Sequence, residues 1–298
     1  MIQKNNIDGI VLLDKPSMMS SNQAIQKIKK EFSLNKIGHT GTLDPLATGL
    51  LPLCLGKATK IARFLIDSDK TYHATIKLGI RTSTGDKEGE VIETSSVDFP
   101  DDSEVDKIIQ SFVGNQEQIP PMYSALKFKG QRLYKLAIKG IDVPRAPRSI
   151  KIHSIDLISF SKDKLELIIK CSKGTYIRTL AEDIAREFQS VGHIDQLRRL
   201  KISCFDTQEM HSINKITSSD VLDSFLLPID APLGHLQKID ISNSESSKFC
   251  NGLPISNNVN KPQSDLYIRV YDDIGTFIGL GQYSNDCLKP RIVFESMN

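Results

Sequence analysis

IGHTGTLDPLATGLLPLCLGKATK, residues 37–60, is dense in Gly and Pro and follows neither a helical nor a strand period. Residues 38–56 therefore read as a structured loop and turn region that some sheet or helix must hold in place, and loops of that kind are where function tends to sit. Gly38, Gly41 and Gly49 could present backbone N–H groups to a phosphate, but the G-K-[ST] ending of a P-loop is missing. A second reading makes Asp44 a catalytic carboxylate, braced by Gly and Pro, with His39 and Thr42 nearby. A third gives Asp44 the N-cap of a short helix with Pro45 at its first position. Spacing alone favours the cap and leaves the carboxylate open.

Working outward, the apolar run at residues 10–13 reads as a short buried strand. Ser20, Ser21 and Asn22 then offer N-caps to a helix with Ala24, Ile25, Ile28 and Phe32 on one face and Lys27, Lys29 and Lys30 on another. Residues 71–80 alternate strictly, with Tyr72, Ala74, Ile76, Leu78 and Ile80 on one side, as a half-buried strand does. Residues 81–90 follow as a polar turn. Leu165, Leu167, Ile169 and Cys171 alternate again, and after the break at Gly174 a helix carries Ile177, Leu180, Ala181, Ile184, Ala185 and Phe188. Two prolines and a glycine in residues 227–236, followed by a polar stretch at 242–247, mark a boundary. The chain thus divides into a large unit, 1–232, and a small β unit, 233–298, whose short strand-like runs are separated by turn signals.

Composition narrows the class. The 298 residues are 39% hydrophobic and 25% charged, which suits a globular chain and excludes fibrous or disordered ones. A net charge of +2 does not by itself announce a nucleic-acid partner. Cys54, Cys171, Cys204, Cys250 and Cys287 are odd in number, far apart and without a C-x-x-C pair, which argues against a disulfide framework and a zinc site and for the cytoplasm. No stretch approaches the ~20 apolar residues that span a bilayer, so neither secretion nor membrane insertion is expected.

Charge is concentrated locally. Residues 127–151 hold eight Lys or Arg against Asp142 alone, a local charge of +7. A helix after Gly130 would place Arg132, Lys135 and Lys139 in one stripe and Leu133, Leu136 and Ala137 in another, an arrangement suited to phosphate contact.

The opening string closely resembles the signature of the bacterial TruB family of tRNA pseudouridine synthases. The resemblance extends, in order, to VLLDKPSMMSSN, DKTYHATIKLG, IPPMYSALKFKGQRLYKLAIKG, CSKGTYIRTLAEDI and HIDQLRRL, covering most of residues 10–202. It implies an α+β fold: a pseudouridine-synthase-type antiparallel mixed sheet with flanking helices, a mobile RNA-gripping insertion at about 120–150, and a C-terminal PUA-like domain. It also implies conversion of uridine 55 in the T-loop of tRNA to pseudouridine, with no metal and no organic cofactor. By motif, Asp44 is the nucleophile and His39 takes the place vacated by a flipped base. Tyr72 stacks on that base, Tyr176 and Arg178 sit in the pocket with Arg178 paired to Asp44, and Leu197 lines it. Lys15 resembles a motif lysine with a structural or RNA-backbone role.

Chemistry supports the residue types independently. The isomerisation breaks the bond from uracil N1 to the ribose, turns the base, and bonds C5 to the same carbon. A carboxylate can add to the ring, or capture or deprotonate the ribose while the base is detached. The uridine must first leave its stack, at a cost of about a few kcal/mol that pocket contacts offset. An Arg partner would keep the carboxylate ionised where water is scarce. The expected protein is a cytoplasmic monomer acting on the T-arm of tRNA. A non-catalytic RNA-binding or RNA-folding module is the main rival, and a hydrolase pairing Asp44 with a second carboxylate ranks last because no second acid belongs to the motif.

Overall fold

Strand β1 (Gly9–Lys15) is apolar without alternation because both of its faces are covered: Val11 and Leu13 face the helices, while Ile10 and Leu12 face the C-terminal sheet. The computed structural model describes residues 6–98, 100–217, 222–256, 266–284 and 287–294. In chain order, β2 (Ile37–His39), β3 (Thr48–Leu55) and β4 (Lys70–Leu78) come first, then the short pair β5 (Ile80–Thr82) and β6 (Val91–Thr94). Next are β7 (Gly114–Gln118), the hairpin β8 (Lys127–Phe128) and β9 (Gln131–Arg132), β10 (Arg148–Ser161), β11 (Lys164–Cys171), β12 (Gly192–Ile202) and β13 (His211–Ser212). Nine of these form one sheet in the order β13-β1-β3-β12-β4-β11-β10-β7, with β2 on β3. Most neighbours run antiparallel, but β1 with β13 and β3 with β12 run parallel, so the sheet is mixed as expected.

Helices cover one face. α1 (Ser21–Glu31) buries Ala24, Ile25 and Ile28 and starts at Ser20, whose side chain and that of Gln23 form a capping box. The short α2 (Ala62–Ile66) precedes β4, and α3 (Asp102–Ser111) lies over β10. After α4 (Leu133–Ala137), α5 (Ile177–Glu187) packs Ile177, Leu180, Ala181, Ile184 and Ala185 into the same core, and α6 (Ile213–Thr217) closes against α1. The C-terminal part is β14 (Lys238–Asp240), α7 (Asn243–Cys250), β15 (Ile255–Ser256), β16 (Ile268–Tyr271), β17 (Phe277–Ser284) and β18 (Cys287–Val293). Its five strands run β14-β16-β17-β18-β15. Leu280 and Phe294 of this part join a second core with Ile10, Leu12, Leu50 and Cys54, which is why β3 is also buried on both faces.

Three local expectations are corrected. Residues 38–56 are not all loop: β2 and β3 occupy both ends, and only 40–47 is irregular. The period vanishes because β3 is covered on both sides, and Pro52 within it disguises the strand. No helix follows Asp44; a turn closed from Ala47 N to the Asp44 carbonyl stands there, 3.1 Å, so the cap reading fails. The helix after Gly130 is only five residues long. Arg132 sits before it in β9 and Lys139 beyond its end, because Lys129 and Gly130, both at positive φ, make the two-residue turn of the β8–β9 hairpin instead of starting the helix. Arg132, Lys135 and Lys139 are all exposed, while Leu133 and Leu136 are buried beneath them.

Candidate active site

The irregular loop 40–47 is held from several sides. The Ser21 hydroxyl accepts from Leu43 N at 2.9 Å and donates to Leu43 O at 3.0 Å. Ser17 Oγ donates to Leu46 O and Thr40 Oγ1 to Pro52 O. Lys15, fully buried, donates from Nζ to the carbonyls of Pro16, Met19 and Pro45. Lys15 is therefore a strut under the loop and does not offer its charge to an RNA backbone, which corrects that part of its expected role. Burial pushes its pKa down to about 8, with the Asp44 charge acting in the opposite sense.

What the loop presents is Asp44. Its Oδ2 lies 2.9 Å from Arg178 Nε and its Oδ1 accepts from Arg178 Nη2 at 3.2 Å, a two-bonded fork. Arg178 is almost wholly buried and is aimed by two further carbonyls, Thr84 at 2.8 Å and Tyr123 at 2.8 Å. Burial pushes the Asp44 carboxyl above the usual aspartate range, and the Arg178 guanidinium is the main influence pulling it back. The Asp44 side chain keeps 36% of its surface exposed, so a substrate can reach the oxygens that the fork orients.

Asp44 lines a cavity of about 270 Å³ with Tyr72, Tyr176, Arg178 and Leu197. The sheet register explains the gathering. In the antiparallel β4–β12 ladder Tyr72 stands opposite Arg199 and Ala74 opposite Leu197, so Tyr72, Leu197 and Arg199 share one face. Burial raises the Tyr72 hydroxyl pKa above its ordinary value, the Arg199 charge working against it. Tyr176 is the N-cap residue of α5, and its backbone is clamped by the buried Gln118, which accepts from Tyr176 N at 2.8 Å and donates to Tyr176 O at 3.1 Å. His39 is not brought into the cavity: on β2 its Nδ1 accepts from Gly41 N at 3.3 Å, and burial lowers its pKa.

Two residues escape the sequence reading. Arg199, 1% exposed, donates from Nε to Leu50 O at 2.7 Å and from Nη2 to Gly41 O at 3.1 Å, joining β12 to the start of β3 and to the loop. Its signal is present in the sequence, two positions beyond Leu197 on the same strand face. Gly49, at φ +95°, passes so close to this strand that a Cβ there would lie 2.4 Å from Arg199 O. Lys70, also on the cavity wall, spends its ammonium on the carbonyls at the end of α2, Leu65, Ile66 and Ser68. Among the described residues no group of three or more His, Cys, Asp or Glu could hold a metal ion, and no helix is long and apolar enough to cross a membrane.

Comparison with known proteins gives this arrangement a family. A model described as TruB family pseudouridylate synthase (N terminal domain) matches residues 29–177. One for the tRNA pseudouridylate synthase B C-terminal domain matches 178–234, and one described as Pseudouridine synthase II TruB, C-terminal, matches 238–294. The chain is 42% identical to tRNA pseudouridine synthase B of Hydrogenovibrio crunogenus, over 98% of this chain and 96% of that one. It is 43% identical to the protein of the same name from Shewanella pealeana, over 95% and 93%. A chain in the solved Cbf5-Nop10-Gar1 complex superposes with a TM-score of 0.73 at 22% identity, covering 96% of this chain and 85% of that one, which shows a common fold. With a mixed sheet, an aspartate forked to a buried arginine beside a small cavity, and relatives alike from end to end, the chain belongs to the TruB family of pseudouridine synthases.

Proposed function

We propose that the protein isomerises uridine 55 in the T-loop of tRNA to pseudouridine, with Asp44 as nucleophile on a flipped-out base. The observation that carries this reading is the Arg178–Asp44 fork at the wall of the cavity. Arg178 opposes the effect of burial, so Asp44 can be ionised before the base arrives, and its fixed geometry points the carboxylate at the entering nucleoside. Leu197 and the ring of Tyr72 supply apolar and stacking surface to offset unstacking of the uridine. Tyr176 and Arg178 enter from the other side, on α5. The names of the relatives support tRNA as the substrate. A catalytic unit over 1–232 with an RNA-gripping insertion at about 120–150, a PUA-like unit over 233–298, a monomeric state and a cytoplasmic setting complete the proposal. Five free cysteines suit a reducing compartment.

The deciding assay is tritium release from unmodified tRNA transcribed with C5-tritiated uridine. Release approaching one equivalent per tRNA, abolished when position 55 is changed to cytidine, is the expected result. Tight tRNA binding with no release would instead make the chain an RNA-binding module.

The insertion carries its own expectation. Leu133 N and Tyr134 N donate to Leu126 O and Ser124 O, stitching its basic surface to the cavity wall at Ser124. Replacing Arg132, Lys135 and Lys139 together by Ala should weaken tRNA binding and flatten the dependence of log K on log salt by roughly 0.7 to 0.9 for each phosphate no longer neutralised. An unchanged slope would leave these three as a solvated face.

A further inference from the structure

We infer that Arg199 is a further catalytic residue, whose guanidinium stabilises the negative charge that passes to the uracil ring while the base is detached from the ribose. The inference rests on the proposed function and deepens it, assigning a group to the charge that the attack of Asp44 sends into the base.

Arg199 is a buried cation without an anion. It is 1% exposed, lines the catalytic cavity, and among the described residues forms no ion pair. A buried arginine is ordinarily paired, because an uncompensated charge away from water is costly. The nearby carboxylates are committed elsewhere: Asp44 is forked to Arg178, and Asp14 pairs with Arg198 at 2.9 Å, on the opposite face of β12. The neighbours register the unneutralised charge. Burial lowers the pKa values of Lys15, His39 and Lys70, and the Arg199 charge lowers all three further. After burial, the charges that shift Asp44 are those of Arg178, Asp86 and Lys15, so the nucleophile does not neutralise Arg199.

The other cations on the cavity wall are not available for this task. Arg178 is neutralised by Asp44, and the Lys70 ammonium gives its three donors to the carbonyls of Leu65, Ile66 and Ser68. Arg199 donates to Leu50 O at 2.7 Å and to Gly41 O at 3.1 Å, and these bonds fix the plane of a guanidinium that has further N–H groups. Tyr72 stands opposite it in the β4–β12 ladder, and Leu197 lies two positions before it on the same face. A uracil stacked on Tyr72 beside Leu197 therefore has Arg199 at its edge.

Every route open to Asp44 delivers electrons to the base. If the carboxylate bonds C1′ as the N1–C1′ bond breaks, the bonding pair stays on uracil and spreads over N1, O2 and O4. If it removes the C2′ proton, the C–H pair forms the C1′–C2′ double bond and the N1–C1′ pair again leaves with the base. If it bonds C6, the C5–C6 π pair shifts to C4–C5 and charge rises on O4. The charge is discharged as C5 bonds C1′ and Asp44 is released or returns its proton to C2′; the C5 proton then leaves and N1 gains one. A cation already fixed in a water-poor site stabilises such charge without reorganising.

The test compares Arg199→Gln, which keeps N–H donors but no charge, with Arg199→Lys, which keeps the charge. Two tRNAs are used, with uridine or 5-fluorouridine at position 55 alone, and conversion of that nucleoside in a single turnover is read by chromatography of digests. Fluorine withdraws electrons from the ring, so the fluorinated anion needs less help from the protein. Arg199→Gln should lose about 10²–10³ in rate on the uridine tRNA, and roughly tenfold less on the fluorinated one, while Arg199→Lys recovers much of the loss on uridine. Matching melting temperatures and tRNA affinities within a few-fold of wild type establish that the variants are folded. A Gln variant that loses the same factor on both tRNAs, or a Lys variant no faster than Gln, overturns the proposal and leaves Arg199 as a strut between Leu50 and Gly41. Wild type that binds tRNA but converts no uridine overturns the enzymatic reading itself, so the two failures are distinct.

Discussion

Asp44→Asn is expected to abolish pseudouridine formation while tRNA binding stays within a few-fold of wild type. The amide has nearly the shape of the carboxylate and keeps one acceptor for Arg178, whose other bonds, to the Thr84 and Tyr123 carbonyls, do not involve Asp44. What disappears is the negative charge with which the carboxylate, in its proposed role, adds to the ring or captures or deprotonates the ribose. Single-turnover tritium release measures the first quantity and filter binding the second; turnover within about tenfold of wild type would remove Asp44 from the chemistry, since removal of a nucleophile costs far more than that. The same residue sets a pH dependence. Its folded pKa is raised, chiefly by burial, and the proposed nucleophilic role requires the ionised form. The rate should therefore fall on acidification at a pH above that of an ordinary aspartate and level off on the alkaline side. A rate that holds steady down to the usual aspartate range would contradict that assignment.

Tyr72→Phe carries the second largest expected effect. After C5 has joined the ribose its proton must leave, and the Tyr72 hydroxyl is the proposed acceptor or relay. Burial raises the Tyr72 pKa, so the side chain enters the reaction as a phenol and not as a standing phenolate base. It can take up the C5 proton only as its own hydroxyl proton passes to water at the cavity mouth, and the cationic Arg199 opposite it across the ladder favours the negative charge that the oxygen gains as its proton departs. Deleting the oxygen should slow turnover by about 10² or more, the scale expected when a proton-transfer group is removed, with little change in tRNA affinity. Comparison with Tyr72→Leu separates the two roles. If Phe matches wild type in single-turnover rate and Leu fails, the ring acts by stacking alone and the relay is refuted.

Much of the catalytic unit is written in local pattern. The strand over 71–80 and the helix after Gly174 are legible because each exposes one face, and exposure prints a period of two or of 3.6 on the sequence. β3 is not legible for the converse reason: with Leu51, Leu53 and Leu55 under the helices and Leu50 and Cys54 against the second core, nothing polar marks its period. The basic segment after Gly130 reads correctly in its exposure and wrongly in its geometry, since the two positive φ angles at Lys129 and Gly130 spend the turn on a hairpin.

By itself the amino-acid sequence determined the family resemblance, the strand and helix that carry Tyr72 and Arg178, and the identity of Asp44 as the residue to watch. Tertiary structure alone decided which charges are free to act. Lys15 and Arg178 are both cations named by motif, yet one is committed to three carbonyls beneath a loop and the other to a carboxylate facing a cavity. Arg199 enters the site only through pairing with Tyr72 across β4 and β12, residues separated by most of the large unit. Burial, partner and direction are properties of the assembled sheet. A lysine or arginine in a string has the same charge wherever it stands, and only its folded surroundings determine whether that charge supports the fold or meets the substrate.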